Sequence, residues 1–167
     1  MIFRSESTSR STFERGLMNV RSHWYEEFEV GATHRVGERL ITLEDHLAFC
    51  QLVGYRVPLF LDEEAGKQTD YGGMICPSHL IMSFSTSMTG ALFSQSIRGL
   101  VALEGARFLQ PVRPGDTIRT EVEIIAKRPT SRPGLGLVTF RDHVYNQHGQ
   151  EAFRNDKIAL IATAPAP

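Results

Sequence analysis

The chain has 167 residues, 41% hydrophobic and 22% charged, with a formal net charge of −1. That length suits one domain with a core able to stand without staples, and the balanced charge supplies no overall field for gathering nucleic acid or an anionic membrane. Cys50 and Cys76 lack a partner at metal-ligand spacing and lie among apolar residues, which predicts buried, inert thiols in a reducing, cytoplasmic setting.

Residues 1–23 contain no apolar h-region, so they do not read as a secretory signal. They are rich in Ser and Arg but carry Glu6 and Glu14. The expectation is a flexible leader, or an early start with Met18 as the true first residue. Trp24 then opens an aromatic anchor that runs to Gly31, and residues 33–41 alternate as a strand. Thr42 is a good N-cap, Asp45 completes a near capping box, and a helix follows as far as Gly54. Residues 55–60 are expected to be extended, because Pro58 bars a helix and biases Val57 away from one. Asp62 caps a short helix, and a loop through Asp70 leads to Pro77.

Residues 72–94 are the longest stretch almost free of charge. With Ser78 as N-cap, Ile81, Phe84, Met88 and Leu92 form a bulky stripe at helical spacing. Ser83, Ser87, Gly90, Ala91 and Ser94 form a second stripe, of small residues, open to a close neighbour. The run is about as long as a short membrane span, but its serines, threonines and histidine place it inside a protein. After a break at residues 97–99, strands are expected at 100–109, 117–127, 135–146 and 151–162, separated by Pro- and Gly-rich turns. The Pro-Ala tail, residues 164–167, is expected to fray. The order predicts one α+β domain over residues 24–163, a curved antiparallel meander with helices on one face.

Particular segments carry a family likeness. They are Phe28-Glu29-Val30-Gly31, Ile41-Thr42-Leu43-Glu44-Asp45, Gly72-Gly73-Met74-Ile75, the run from Arg107 through Pro111, Arg113, Pro114, Gly115 and Asp116 to Thr117, and the Asn146-Gln147-His148-Gly149 turn. Together they resemble the MaoC-like, (R)-specific enoyl-CoA hydratases, over residues 24–161. The resemblance implies a hot-dog fold, in which an antiparallel sheet wraps a long central helix. It also implies dimers joined sheet edge to sheet edge, and acyl-CoA bound near the subunit interface. The family's motif, Gly-Asp-x-Asn-Pro-x-His, activates water for addition to an enoyl thioester. That chemistry needs an acid and a base within reach of one water and donors on the thioester oxygen. Here the corresponding stretch is Gly54-Tyr55-Arg56-Val57-Pro58-Leu59-Phe60. Gly54 and Pro58 match, whereas Tyr55, Val57 and Phe60 stand at the Asp, Asn and His positions.

Four readings follow. The first is a hydratase or dehydratase with relocated groups: Tyr55, Asp70, His79 and Thr86 as catalytic candidates, and Asp62 and Ser78 nearby. The bland alternatives are a satisfied structural His79, a solvated Asp70, and a Tyr55 whose phenol is a poor base at neutral pH. Amides following Gly72-Gly73 and Cys76 are candidate oxyanion donors, which brings Gly73, Cys76 and Ser78 into the binding set. Arg107, Arg128 and Arg132 are candidates for holding CoA phosphates, since guanidinium forks match phosphate oxygens; an ordinary solvated loop is the alternative for the last two. The second reading is a thioesterase. The third is an inactive acyl-CoA-binding subunit that partners an active relative. The fourth is a homodimeric binding protein. No metal site and no cofactor beyond substrate CoA are expected. The Gly134-Leu135-Gly136 run lacks the strand-then-helix context of a dinucleotide loop.

Overall fold

The computed structural model describes residues 21–166; the expectations for a leader and for Met18 lie outside that range. Five strands, β1 (Thr33–Leu40), β2 (Ile97–Phe108), β3 (Thr117–Pro129), β4 (Leu135–Tyr145) and β5 (Glu151–Ala162), form one sheet. Three helices, α1 (Leu43–Val53), α2 (Glu63–Lys67) and α3 (Ser78–Gly90), lie between β1 and β2. All pairings are antiparallel, and the strand order is β1-β3-β4-β5-β2. The meander is therefore β3-β4-β5 alone. β2 is not its first strand, because α3 carries the chain across the sheet face and delivers it to the far edge, beside β5.

Period-two burial marks the face under α3. Ile118, Val122 and Ile124 of β3, Val138, Phe140 and Val144 of β4, and Phe153, Ala159 and Ile161 of β5 are all buried. From α3, Leu80, Ile81, Ser85, Met88 and Thr89 are buried, followed by Leu92 in a one-turn 3-10 extension. Three members of the expected bulky stripe thus face the sheet. Phe84 does not; it turns sideways, with the Arg39 guanidinium 4.0 Å above its ring. Two hydroxyl residues, Ser85 and Thr89, take the inward positions between them.

The local signals are met by physical causes. Thr42 Oγ1 accepts from the Asp45 amide at 3.0 Å, a cap of the kind that contributes about 1 kcal/mol. Gly54 ends α1 in the left-handed region, φ 72°, where a side chain would be strained. Asp62 caps α2 by accepting from the Glu64 and Ala65 amides. Ser78, however, is the first residue of α3 rather than its cap. Pro77 occupies the N-cap and supplies no side-chain hydrogen bond. Residues 55–60 are not wholly extended either: Pro58 opens a 3-10 turn, Pro58–Phe60, since a first-turn position loses nothing by lacking an N–H. The expected break at residues 97–99 is strand, kept irregular by three register shifts along β2. Nor does packing start at Trp24, because the His23 amide donates to Leu92 O at 2.7 Å and the Gln95 amide to Ser22 Oγ at 3.1 Å.

Candidate active site

Two of the sequence candidates meet. The Gly54 turn reverses the chain at the end of α1, and the Tyr55 amide donates to Cys50 O at 2.9 Å. This swings the phenol toward α3, where its oxygen lies 3.3 Å from Nδ1 of His79 in the first helical turn. Tyr55 is half-buried and His79 exposed. The Tyr55 ring meets Phe60 edge-on with centroids 5.3 Å apart, and Phe49 lies beyond it at 6.4 Å. Two bonds fix the 55–60 segment from below. The buried His46 donates through Nε2 to Phe60 O at 2.5 Å, and the Ile75 amide donates to Leu59 O at 3.3 Å. Val57 points outward, 42% exposed.

The strand entering α3 is clamped. Arg113 donates from Nη1 to Met74 O at 3.0 Å and from Nη2 to Tyr71 O. Glu63 accepts from the Met74 amide at 2.8 Å. Gly73 lies between these two side chains: an added Cβ would come 2.6 Å from Arg113 Nη1 and 2.8 Å from Glu63 Oε1. Its smallness thus serves a close approach. The Cys76 amide donates to Val112 O at 2.7 Å. The expectation of oxyanion donors at Met74 and Cys76 therefore fails, because both amides already have acceptors. The Ser78 and His79 amides are different. They open a helix that has no side-chain cap, so they belong to the four donors that a helix leaves unpaired, at its positive end.

Beside them is a cleft of about 170 Å3 lined by Tyr71, Ile75, Cys76, Ser78, Phe108 and Leu109, among others. Arg107 adjoins it in the chain, one residue before Phe108, and is exposed. The thiol of Cys76 is pushed up to about 12 by burial first, then by the charges of Asp116 and Cys50; it is a neutral wall here, not a nucleophile.

Tyr55 and His79 are not among the residues that line this cleft, and neither are the remaining candidates. Thr86, two turns along α3, lines a separate shallow groove with Ser83, Ser87, Leu100 and Leu103. Asp70 is exposed on the loop after α2 and lines neither space. Arg128 and Arg132 flank the β3–β4 hairpin, at the end of the sheet where the Thr163 amide reaches Gly134 O. β3 spans on the order of 40 Å at about 3.3 Å per residue. That length separates the hairpin from the Val112 end, where the start of α3 is anchored, so within one chain these arginines do not reach the cleft. The clamp formed by Glu63 and Arg113 went unread in the sequence; its signal was Gly73, whose neighbours approach closely. Among the described residues, no cluster of three or more His, Cys, Asp or Glu is placed to hold a metal, and no helix is long and apolar enough to cross a membrane.

An antiparallel five-stranded sheet packed over one long helix is the hot-dog fold. Within that class the chain belongs to the MaoC like domain family, which matches residues 29–143. It is 27% identical over 119 residues to a 3-hydroxybutyryl-CoA dehydratase of Methylorubrum extorquens, covering 70% of this chain and 73% of that one. It is 26% identical over 140 residues to the uncharacterized protein YdeM of Bacillus subtilis, covering 81% and 96%. Among solved structures, a monoamine oxidase regulatory protein from Archaeoglobus superposes with a TM-score of 0.79 at 27% identity, covering 89% of this chain and 100% of that one.

Proposed function

We propose that the chain is a hydro-lyase that interconverts an enoyl thioester of CoA and its 3-hydroxyacyl thioester, using the Tyr55–His79 pair in place of the family's Asp and His. The observation that carries this reading is the 3.3 Å approach of the Tyr55 hydroxyl to His79 Nδ1, beside the open amides at the start of α3. Histidine is the side chain whose ordinary pKa lies nearest neutrality. With Nδ1–H donating to the Tyr55 phenol oxygen, Nε2 carries the free lone pair and is the atom that takes a proton from water as the water oxygen bonds to Cβ. The π pair shifts toward Cα and the thioester oxygen, where the Ser78 and His79 amides meet the growing negative charge. The proton then passes from His79 to Cα, so that one water has been added across the double bond. Tyr55 orients the imidazole and does not itself serve as base. The dehydratase name of the Methylorubrum relative supports the reaction class, and Arg107, exposed one residue before the cleft-lining Phe108, is the candidate for CoA phosphates.

The expected assembly is a homodimer, or a pair with a related hot-dog chain, joined at the β2 edge. There Leu100, Val101 and Leu103 are exposed beside backbone that has no strand partner on its outer side.

A second reading is favoured by one observation: Val57 and Phe60, at the motif positions, carry no proton-transfer group. On that reading the chain is a non-catalytic acyl-thioester-binding subunit. Incubating the pure protein with crotonyl-CoA and following loss of the conjugated thioester absorbance separates the two. Turnover supports the hydro-lyase. Binding without turnover, with activity appearing only when a second subunit is added, supports the partner.

A further inference from the structure

Beneath α3 the sheet holds a charge pair wholly out of solvent. Asp142 of β4 is 0% exposed and Lys157 of β5 is 1% exposed, and the ammonium donates directly to the carboxylate. Ser85 Oγ donates to the same carboxylate. Thr89 Oγ1 lies 2.9 Å from each carboxylate oxygen and 3.4 Å from Lys157 Nζ. A buried pair of this kind loses its hydration, a loss offset only when every remaining donor and acceptor is used. Asp142 is well supplied, with three donors. Lys157 has three N–H groups, and Asp142 and Thr89 account for two.

Asn155 is the unsatisfied member. It stands directly opposite Asp142 in the β4–β5 register and two residues from Lys157 on β5, hence on the same sheet face. It is 0% exposed, and neither Nδ2 nor Oδ1 has a hydrogen-bond partner in the chain. On its other side, β2 bulges between Glu104 and Arg107, with Gly105 at φ 58°, so no regular cross-strand residue fills that position. Leaving a buried amide unpaired forfeits its hydration with nothing in return.

We propose that Asn155, Asp142 and Lys157 form an internal hydration site that binds at least one ordered water. The water accepts from the third Lys157 N–H or from Asn155 Nδ2, and donates to Asn155 Oδ1, which gives it the two to four polar partners that a buried water requires. Lys157 already supplies the positive charge, so a neutral ligand fits where a cation would be repelled. Burial pulls the ammonium's pKa down while Asp142 opposes that pull; a water on the free N–H supports the charged form. The site completes the polar seat into which Ser85 and Thr89 plug α3.

A high-resolution crystal structure of the full chain tests this, with a water-to-amide magnetization-transfer measurement on nitrogen-labelled protein as an independent readout. The expected result is a density peak about 3 Å from the Asn155 amide, and a long-lived water signal on its side-chain amide protons. An Asn155 amide bonded directly to protein atoms, an adjoining gap without density, or the absence of any long-lived water signal would overturn the proposal. None of these outcomes depends on whether the protein turns over a thioester.

Discussion

The Tyr55 phenol oxygen lies 3.3 Å from Nδ1 of His79, across 24 residues of sequence. Two local features produce this meeting: the left-handed Gly54 that reverses the chain, and the His46 bond that pins Phe60. One hydrogen bond of this kind contributes about 0.5–1.5 kcal/mol. Tyr55→Phe keeps the ring packing against Phe49 and Phe60 and removes only the hydroxyl. It should lower kcat up to roughly tenfold and leave KM little changed. A Tyr55→Phe enzyme with a much larger KM would place the phenol in binding instead.

The buried pair under α3 predicts an asymmetric mutational response. Asp142→Leu alone leaves Lys157 unpaired in the core and should destabilise the fold by about 3–5 kcal/mol. Adding Lys157→Met should recover much of that loss, because no unpaired charge is then left in the core. Urea unfolding of both variants and the parent checks the pattern; additive losses would show that the two residues do not act as a pair.

Cys76 sets a prediction at alkaline pH. Its thiol stays protonated in the fold until about 12, against an ordinary value of 9.0. The unfolded chain therefore releases a proton that the folded chain keeps. Below the ordinary value the group contributes no pH dependence; above it, stability falls, with a slope of up to about 1.4 kcal/mol per pH unit. Cys76→Ala should flatten the decline in urea stability between pH 9.0 and about 12. An unchanged slope would assign the decline to other groups.

The arginines divide by position. Arg107→Ala should weaken binding of a CoA thioester, because its neighbour Phe108 lines the cleft. Arg128→Ala with Arg132→Ala should leave affinity unchanged if the site is built from one chain. Calorimetric titration with CoA distinguishes them, and a loss confined to the hairpin variant would mean that a partner subunit brings that loop to the cleft.

Much of the fold was legible because its signals are local. Thr42, Gly54 and Asp62 mark helix ends by chemistry that acts within a turn, and β3 to β5 alternate cleanly enough to be placed to within a residue or two. Strand order was less legible: β2 reads as a strand like the others, and its place beyond β5 depends on where α3 carries the chain. Ser85 and Thr89 read as polar positions, yet they face inward because their partner Asp142 lies 57 and 53 residues away. Tyr55 and His79 could be named singly but not joined. Cys76 was named as a donor, though only the fold shows that Val112 already accepts from its amide.

Steady-state hydration of crotonyl-CoA by the parent protein and by His79→Ala tests the account most directly. Turnover by the parent is expected, with a loss of about 10²–10⁴ in kcat for the variant, the usual contribution of a positioned acid–base group, and with thioester binding retained. A parent that binds thioesters without hydrating them, or a His79→Ala protein that hydrates as fast as the parent, would contradict it.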